Sequence, residues 1–322
     1  MKIAVVVPGR FHAFDLVRAL RDRGHDVVLF TNYPKWAVRR FGVSPDWTRS
    51  FWVHGAVSRL FEWFTKRLGV PYPEPVLQPW FSRWARKALS KSRWDIVHLW
   101  SGVGEEILLA PERVSGVCLL MRGSSHIRTQ ARILEEERKR IGVPMDHPSN
   151  WMIGREEREY QLADRVIVLS SFAHATFLRE GTPEKKVEMI PLGTDLKMFR
   201  PQANVVEERC RRILTGEPLR ILYVGSLSFR KGLWDLGAIV RLLEEEKFRF
   251  KAVGPVPHES RRFLKQLGGR LEIVSKKPQN KLPDWYRWAD LFLFPTLEDG
   301  YPVVLAQAQA SGLPILTTTH CS

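Results

Sequence analysis

Apolar residues fall along this chain in two alternating rhythms. Short unbroken runs, such as KIAVVV at 2–7, end at turn residues, here Pro8 and Gly9, and read as buried parallel strands. Between the runs, apolar side chains return every three or four positions. Ala13, Leu16, Val17 and Leu20 line one face of residues 13–24, and Gly24 is placed to stop that helix. Residues 26–31 (DVVLFT) form a second strand, which completes a right-handed βαβ unit. Further strands are expected at 95–100, 116–121, 165–169 and 187–191. Helices are expected over 129–140, over 152–163 and from Ser171, whose hydroxyl can cap the last of them. Residues 32–93 are irregular. Val57, Leu60, Phe61, Phe64 and Leu68 keep helical spacing ahead of Pro71, Pro73 and Pro75, so one or two amphipathic helices should project from the sheet there.

Residues 191–201 (PLGTDLKMFRP) have the turn chemistry of a linker. The alternation then restarts, with strands at 219–225, 248–253, 271–275, 290–294 and 313–317 and helices at 231–245, 258–267, 282–288 and 302–310. Strands alternating with helices twice over predict an α/β protein of two Rossmann-like, doubly wound domains. Their expected bounds are 1–190 and 202–322, with 191–201 between them.

Composition removes several classes. With 322 residues, 44% hydrophobic and 26% charged, the chain has material for a sizeable core and is not of disordered composition. No apolar run reaches the roughly 18–20 residues of a membrane span, and the stretch before Gly9 is too short for a signal peptide. Cys118, Cys210 and Cys321 lie too far apart for a disulfide framework or a zinc site, which suits a reducing cytoplasm, and each reads as a small buried apolar residue. Charge is uneven. Of a net +15, residues 1–100 supply +10, from 17 Lys/Arg against 7 Asp/Glu, and they hold eight of the twelve tryptophans. A solvated basic face over an aromatic core would give this pattern. So would an anionic membrane surface met by residues 36–100, where Trp and Arg settle at headgroup level; that partner is the one expected, with a peripheral place on the cytoplasmic membrane face. Nucleic acid is not expected, because no recognition motif accompanies the charge.

Four loops at carboxyl ends of strands could carry chemistry, since open α/β sheets bind ligands there. In VGSLSFRKG (224–232), Ser226, Arg230 and Lys231 can donate to phosphate oxygens beside a helix start. In PTLEDGYPVVLAQAQASGLPIL (295–316), Glu298, Asp299 and Gln307 can accept from sugar hydroxyls. Gly300 there allows close backbone approach, and Gly300, Tyr301 and Val303 offer backbone N–H groups. The third loop is Pro8-Gly9-Arg10-Phe11-His12. The fourth is Arg122-Gly123-Ser124-Ser125-His126, where His126 can orient a hydroxyl or take a proton. Each has a plainer alternative, a solvated or capped helix start. His98, inside an apolar strand, reads as a hydrogen-bonded core residue.

Taken together, VGSLSFRKG and EDGYPVVLAQAQASGLPIL resemble the family-4 retaining glycosyltransferases of the GT-B fold, which show a G-x-L-x-x-x-K-G-like phosphate loop and an E-x7-E motif before A-x-G-x-P. FHAFDL, RGSSHIRTQ, REEREYQLADRVIVLSSF and IPLGTDLKMFRP support the resemblance over nearly the whole chain. It implies transfer of a hexose from a nucleotide diphosphate sugar to a hydroxyl, with retention. Arg230 and Lys231 would neutralise the diphosphate, Asp299 would touch the transferred sugar, and Gln307 would hold the ribose. Gly9 would leave room for the diphosphate, and His126 would face the donor sugar. The motif departs from the family as Asp-x7-Gln, and Glu298 could stand in for Asp299. Ser226 occupies a position often filled by Arg. No Asp-x-Asp pair occurs, so no metal or other cofactor is expected. A complete second domain of this kind continues beyond the strand at 313–317, so the chain is expected to be truncated. With the basic, Trp-rich segment, the acceptor expected is a lipid-linked or envelope glycan. The competing functions are a UDP-sugar 2-epimerase of the same fold, a non-catalytic nucleotide-sugar or membrane-binding module, and a nucleic-acid-binding protein.

Overall fold

A computed structural model describes residues 1–68, 70–110 and 115–321. In chain order the elements begin β1 (Lys2–Val7), α1 (Ala13–Asp22), β2 (Asp26–Thr31), α2 (Lys35–Val38), β3 (Thr48–Ser50), α3 (Trp52–Leu68), α4 (Glu74–Leu89) and β4 (Trp94–Trp100). They continue α5 (Glu105–Leu108), β5 (Ser115–Met121), α6 (Ile127–Ile141), α7 (Asn150–Leu162), β6 (Arg165–Val168), α8 (Ser171–Arg179) and β7 (Val187–Met189). These seven strands form one sheet in the order β3-β2-β1-β4-β5-β6-β7. Next come α9 (Ala203–Leu214), β8 (Leu219–Val224), α10 (Leu233–Leu242), β9 (Phe248–Val253), α11 (Arg261–Lys265), β10 (Leu271–Val274), α12 (Leu282–Trp288), β11 (Leu291–Phe294), α13 (Val303–Ala310) and β12 (Ile315–Thr317). The second sheet runs β10-β9-β8-β11-β12, and all four of its strand pairs are parallel.

Both sheets reverse direction in the middle. Crossovers leave β1 one way to β2 and β3, and the other strands build outward from β4; likewise β8 leads to β9 and β10 on one side and β11 on the other. These two switch points leave crevices at the carboxyl ends of β1/β4 and β8/β11. The central strands are buried on both faces, as continuous apolar runs require: Ala4, Val5, Val6 and Val7 in β1 and Leu222, Tyr223 and Val224 in β8 lie in the core.

The chain divides into two contact units. Unit 1 takes residues 1–122, 148–168 and 178–188; unit 2 takes 123–147, 169–177 and 189–322. The two sheets follow one another along the chain, β1–β7 before β8–β12, while the segment after β5 and the start of α8 group with the second sheet.

Local differences from expectation have identifiable causes. Gly24 takes φ +82 and stops α1, as expected, and its N–H donates to Arg21 O at 2.9 Å. α10 begins two residues later than expected because Gly232 is left-handed at φ +76 and ends a separate 3-10 turn over Phe229–Lys231. The hydroxyl that caps α8 is that of Ser170, accepting from Ala173 N at 3.2 Å, one residue before Ser171. α9 carries no apolar stripe to betray it. It buries Arg209 and Arg212, with Arg209 donating to the carbonyls of Ala289 and Gly312 and Arg212 paired with Asp290, while Ile213 and Leu214 face solvent. Cys321 is buried as expected, but Cys210 is exposed and Cys118 half-buried; none of the three forms a disulfide among the described residues. His98 is buried, yet its Nε2 has no hydrogen-bond partner, so it is not the satisfied core residue expected.

Unit 1 also encloses a charged core. Arg155 is 1% exposed and pairs with Glu105, Glu106 and Glu159. Glu159 accepts from the N–H groups of Gly102, Gly104 and Glu105 at 2.6, 2.8 and 3.0 Å, which fixes the loop after β4. Burial pushes its carboxyl up to about 8. Arg122, at the end of β5, pairs with Glu156 at 2.8 Å, and Glu156 also accepts from the Tyr160 hydroxyl. Among the described residues no helix is long and apolar enough to cross a membrane.

Candidate functional site

The two loops that flank the β8/β11 switch point are the two sequence motifs. After β8 the chain turns through Gly225 and Ser226 into the 3-10 turn that carries Arg230 and Lys231. After β11 it runs through Pro295, Thr296, Leu297, Glu298 and Asp299. The loops are fastened along their backbones. Arg230 O accepts from Leu297 N at 3.2 Å and from Thr296 Oγ1 at 3.4 Å. Gly232 is required here twice over. Besides its left-handed φ, a Cβ at this position would stand 1.7 Å from Pro295 O. The Tyr223 hydroxyl closes the first loop by donating to Ser226 O at 2.8 Å.

Two acid–base pairs meet across the loops. Lys231 Nζ donates to Asp299 Oδ2, and Arg230 Nη1 lies 3.3 Å from Glu298 Oε2. The partners differ in freedom. Lys231 and Asp299 keep 13% and 18% side-chain exposure, and Arg230 keeps 36%. Burial, and next the neighbouring Arg230, pull the Lys231 ammonium below the ordinary lysine range, against the opposing pull of Asp299. Burial and the Asp299 charge push the Tyr223 phenol upward.

Glu298 has a different role from the donor contact expected of it. Its carboxylate is fully buried and accepts from Ser125 N at 2.8 Å, Ser125 Oγ at 3.0 Å and Gln130 Nε2 at 2.9 Å, as well as facing Arg230. It is a brace, and Asp299 is the acid left at the surface of the site. Gln307 is also inside the protein, 4% exposed, with Oε1 accepting from Tyr286 OH at 2.9 Å. Gly300 does allow a close approach, but to the protein's own backbone: a Cβ there would lie 2.3 Å from Gly123 O. The Tyr301 N–H, expected to serve a phosphate, donates here to Asp299 Oδ1 at 3.3 Å. Val303 opens α13, where first-turn N–H groups lack intrahelical partners.

His126 caps α6. Its Nδ1 accepts from Arg128 N at 3.3 Å, its ring meets Phe177 edge-on at 4.9 Å, and it is 4% exposed. Gly9 lies in unit 1 with φ +129, and the ring of Phe11 stands over it, 3.3 Å from where a Cβ would be. Phe11 itself is 62% exposed and sits at a positive φ of 41°.

No local sequence signal marks the groups that hold this site in place. Ser125 and Gln130 anchor Glu298 from another part of the chain. The end of the described chain clasps the second loop: Thr318 Oγ1 donates to Thr296 O at 2.7 Å, His320 Nδ1 lies 2.9 Å from Leu297 O, and Asp299 N donates to His320 O at 3.1 Å. The His320 ring stacks on Phe172 at 4.8 Å. These are tertiary contacts of ordinary polar residues and leave no periodic trace.

This architecture matches solved structures along the whole chain. Sucrose-phosphate synthase from Thermosynechococcus elongatus superposes with a TM-score of 0.67 at 20% identity, covering 100% of this chain and 82% of that one. HepE of Anabaena, solved in complex with UDP and glucose, superposes with a TM-score of 0.61 at 13% identity, covering 100% and 81%. The fold is GT-B, as expected. Among curated proteins, the amylovoran biosynthesis glycosyltransferase AmsK of Erwinia amylovora is 26% identical over 204 residues, 60% of this chain and 44% of that protein. The chain spans about half the length of the curated relatives it matches. Residues 218–322 match the family described as Glycosyl transferases group 1. Residues 10–198, well over half of the chain, match the second family description, and the chain belongs to Glycosyltransferase Family 4.

Proposed function

We propose that the protein transfers a hexose from a nucleotide diphosphate sugar to a hydroxyl of a lipid-linked or envelope-glycan acceptor at a membrane surface, with retention and without a metal. The observation that carries this is the juxtaposition, at one switch point, of Arg230 and Lys231 with Asp299. Two cations beside a helix start suit a departing diphosphate, and a partly exposed carboxylate suits the sugar hydroxyls. On this reading the diphosphate takes over Lys231, which frees Asp299 for the sugar, and His126 faces the donor sugar. Relatives support the reading: HepE was solved with UDP and glucose, and AmsK is named for amylovoran biosynthesis.

A thermal-shift screen with UDP, GDP and ADP tests it. A nucleotide at about 100 times its Kd should stabilise by roughly 2.7 kcal/mol. One nucleotide series should shift the melt, EDTA should leave the shift unchanged, and Lys231→Ala should cut the stabilisation to about 1.4 kcal/mol or less. No shift with any series would overturn the donor site. A non-catalytic nucleotide-sugar-binding module is favoured by one feature, the burial of Gln307 against Tyr286 where a ribose contact was expected. Binding without sugar transfer to any acceptor lipid would decide for the module.

A further inference from the structure

α3 is built inside out. Its buried positions are polar or small: His54, Gly55 and Ser58. They are held by hydrogen bonds, with His54 Nε2 3.0 Å from Leu77 O and Ser58 Oγ 3.4 Å from His54 Nδ1. Gly55 lets the helix lie against the backbone of Asn32, whose carbonyl a Cβ would meet at 2.2 Å. The outward face is the apolar one. At about 100° per residue, Trp52, Ala56, Arg59, Leu60, Trp63 and Arg67 share an arc of about 100°, and all six are exposed. Trp52 is 59% exposed, Leu60 53%, Trp63 52% and Leu68, at the helix end, 62%. A surface helix of a globular domain normally arranges these residues the other way round.

The neighbouring α2 repeats the combination. Trp36 is exposed, and the Arg40 guanidinium lies 5.1 Å from its ring. The two helices are joined through Tyr33, just before α2, whose ring carries Arg59 of α3 at 5.4 Å. Over residues 35–68 there are seven Lys/Arg against two Asp/Glu. That charge selects among occupants. A second copy seated on this face by a two-fold contact would bring the same cations against each other, which costs association free energy. An anionic lipid surface meets both features at once: indole and leucine side chains enter the headgroup boundary, and the arginines face phosphate.

We infer that the outward face of α3, from Trp52 to Leu68, is a docking surface for an anionic bilayer. The inference rests on the reading of an acceptor presented at a membrane, and it names the element that brings the protein there. Sedimentation with vesicles of phosphatidylcholine alone, or with phosphatidylglycerol added, tests it. The protein should pellet with the anionic vesicles and far less with the neutral ones. Arg59→Gln/Arg67→Gln should weaken anionic binding about 25-fold, at about fivefold for each charge removed near the surface. Trp52→Ser/Trp63→Ser should reduce pelleting to the level without lipid. Leu60→Ser alone, a single exposed change, guards against misfolding of the double variants, and it should weaken binding with an unaltered melt. The nucleotide-induced melting shift should survive in all three variants, so a failed donor reading and a failed docking face give different results. Equal pelleting with both vesicle types would overturn the inference, as would full binding by the tryptophan variant. So would a dimer in analytical ultracentrifugation that Trp52→Ser/Trp63→Ser dissolves, since it would assign the face to a second copy.

Discussion

Removing the Lys231 ammonium should destabilise the protein even with no ligand present, and the amount can be worked out. Lys231→Met leaves the Asp299 carboxylate with the Tyr301 N–H and no cation. Breaking a buried pair from one side costs about 3–5 kcal/mol. These side chains retain 13% and 18% exposure, so solvent recovers part of that cost. About 3 kcal/mol is then expected, a fall of roughly 6–12 °C in Tm for a domain of this size. Asp299→Asn should cost less. The lysine it strands already has its pKa lowered by burial and by Arg230, so it can release its proton. The double variant Lys231→Met/Asp299→Asn should recover most of the loss. Urea unfolding of the four proteins gives the coupling directly. Purely additive single effects would refute the pair as an energetic unit. In the same samples, loss of a charge-assisted hydrogen bond of about 1.5–3 kcal/mol should weaken nucleotide binding about 10- to 150-fold in Lys231→Met. Unchanged nucleotide affinity would refute the assignment of Lys231 to the diphosphate.

Gly232→Ala should collapse the junction of the two loops, since its Cβ would fall 1.7 Å from Pro295 O; a lower melting temperature together with loss of the nucleotide shift is the expected pair of results. Stability should fall with acid through His98. Burial holds its folded pKa at about 3, so below pH 6.5 only the unfolded chain takes the proton, and about 1.4 kcal/mol is lost per pH unit. Urea midpoints at pH 7 and pH 5 should show this slope reduced in His98→Leu, and an identical slope would disprove it. Glu159→Gln can keep an oxygen for the Gly104 and Glu105 N–H groups but turns an NH2 on the Gly102 N–H, so a loss of about 1–3 kcal/mol is expected in chemical unfolding. His320→Ala should leave global stability nearly unchanged while raising the apparent Kd for nucleotide sugar more than that for the bare nucleotide, because it loosens the loop that presents Asp299.

Strand positions were legible wherever an apolar run carried them: β1, β2, β4, β8 and β9 lie within a residue of the expected bounds. β3 was not, because its three residues, Thr48-Arg49-Ser50, are polar and pair only with β2. Helices were legible in proportion to how apolar their buried faces are, so α1 and α6 could be read and α9, with its buried arginines, could not. α3 shows the subtler failure. The spacing of Val57, Leu60, Phe61, Phe64 and Leu68 does mark a helix, but Leu60 and Leu68 are exposed, so the period identified the element without identifying its inner face. The site was legible as two loops, since strand ends and turn residues are local. Which of two adjacent acids is buried was not, because that depends on Ser125 and Gln130, far away in the chain.

That separation bears on how the protein becomes competent. The Glu298 brace joins residues 173 and 168 positions apart, which places the last contacts of the site among the most non-local in the molecule. Such contacts form only after long stretches of chain have been closed into loops, and they come late in folding. During synthesis the strands of the second sheet can pair as they emerge. The loop bearing Asp299 gains its shape only when residues 124–130 have been delivered to it. On the proposed reading, nucleotide binding would report completion of the fold, and a fragment beginning at residue 202 would leave the Glu298 carboxylate its Arg230 contact but not those from Ser125 and Gln130.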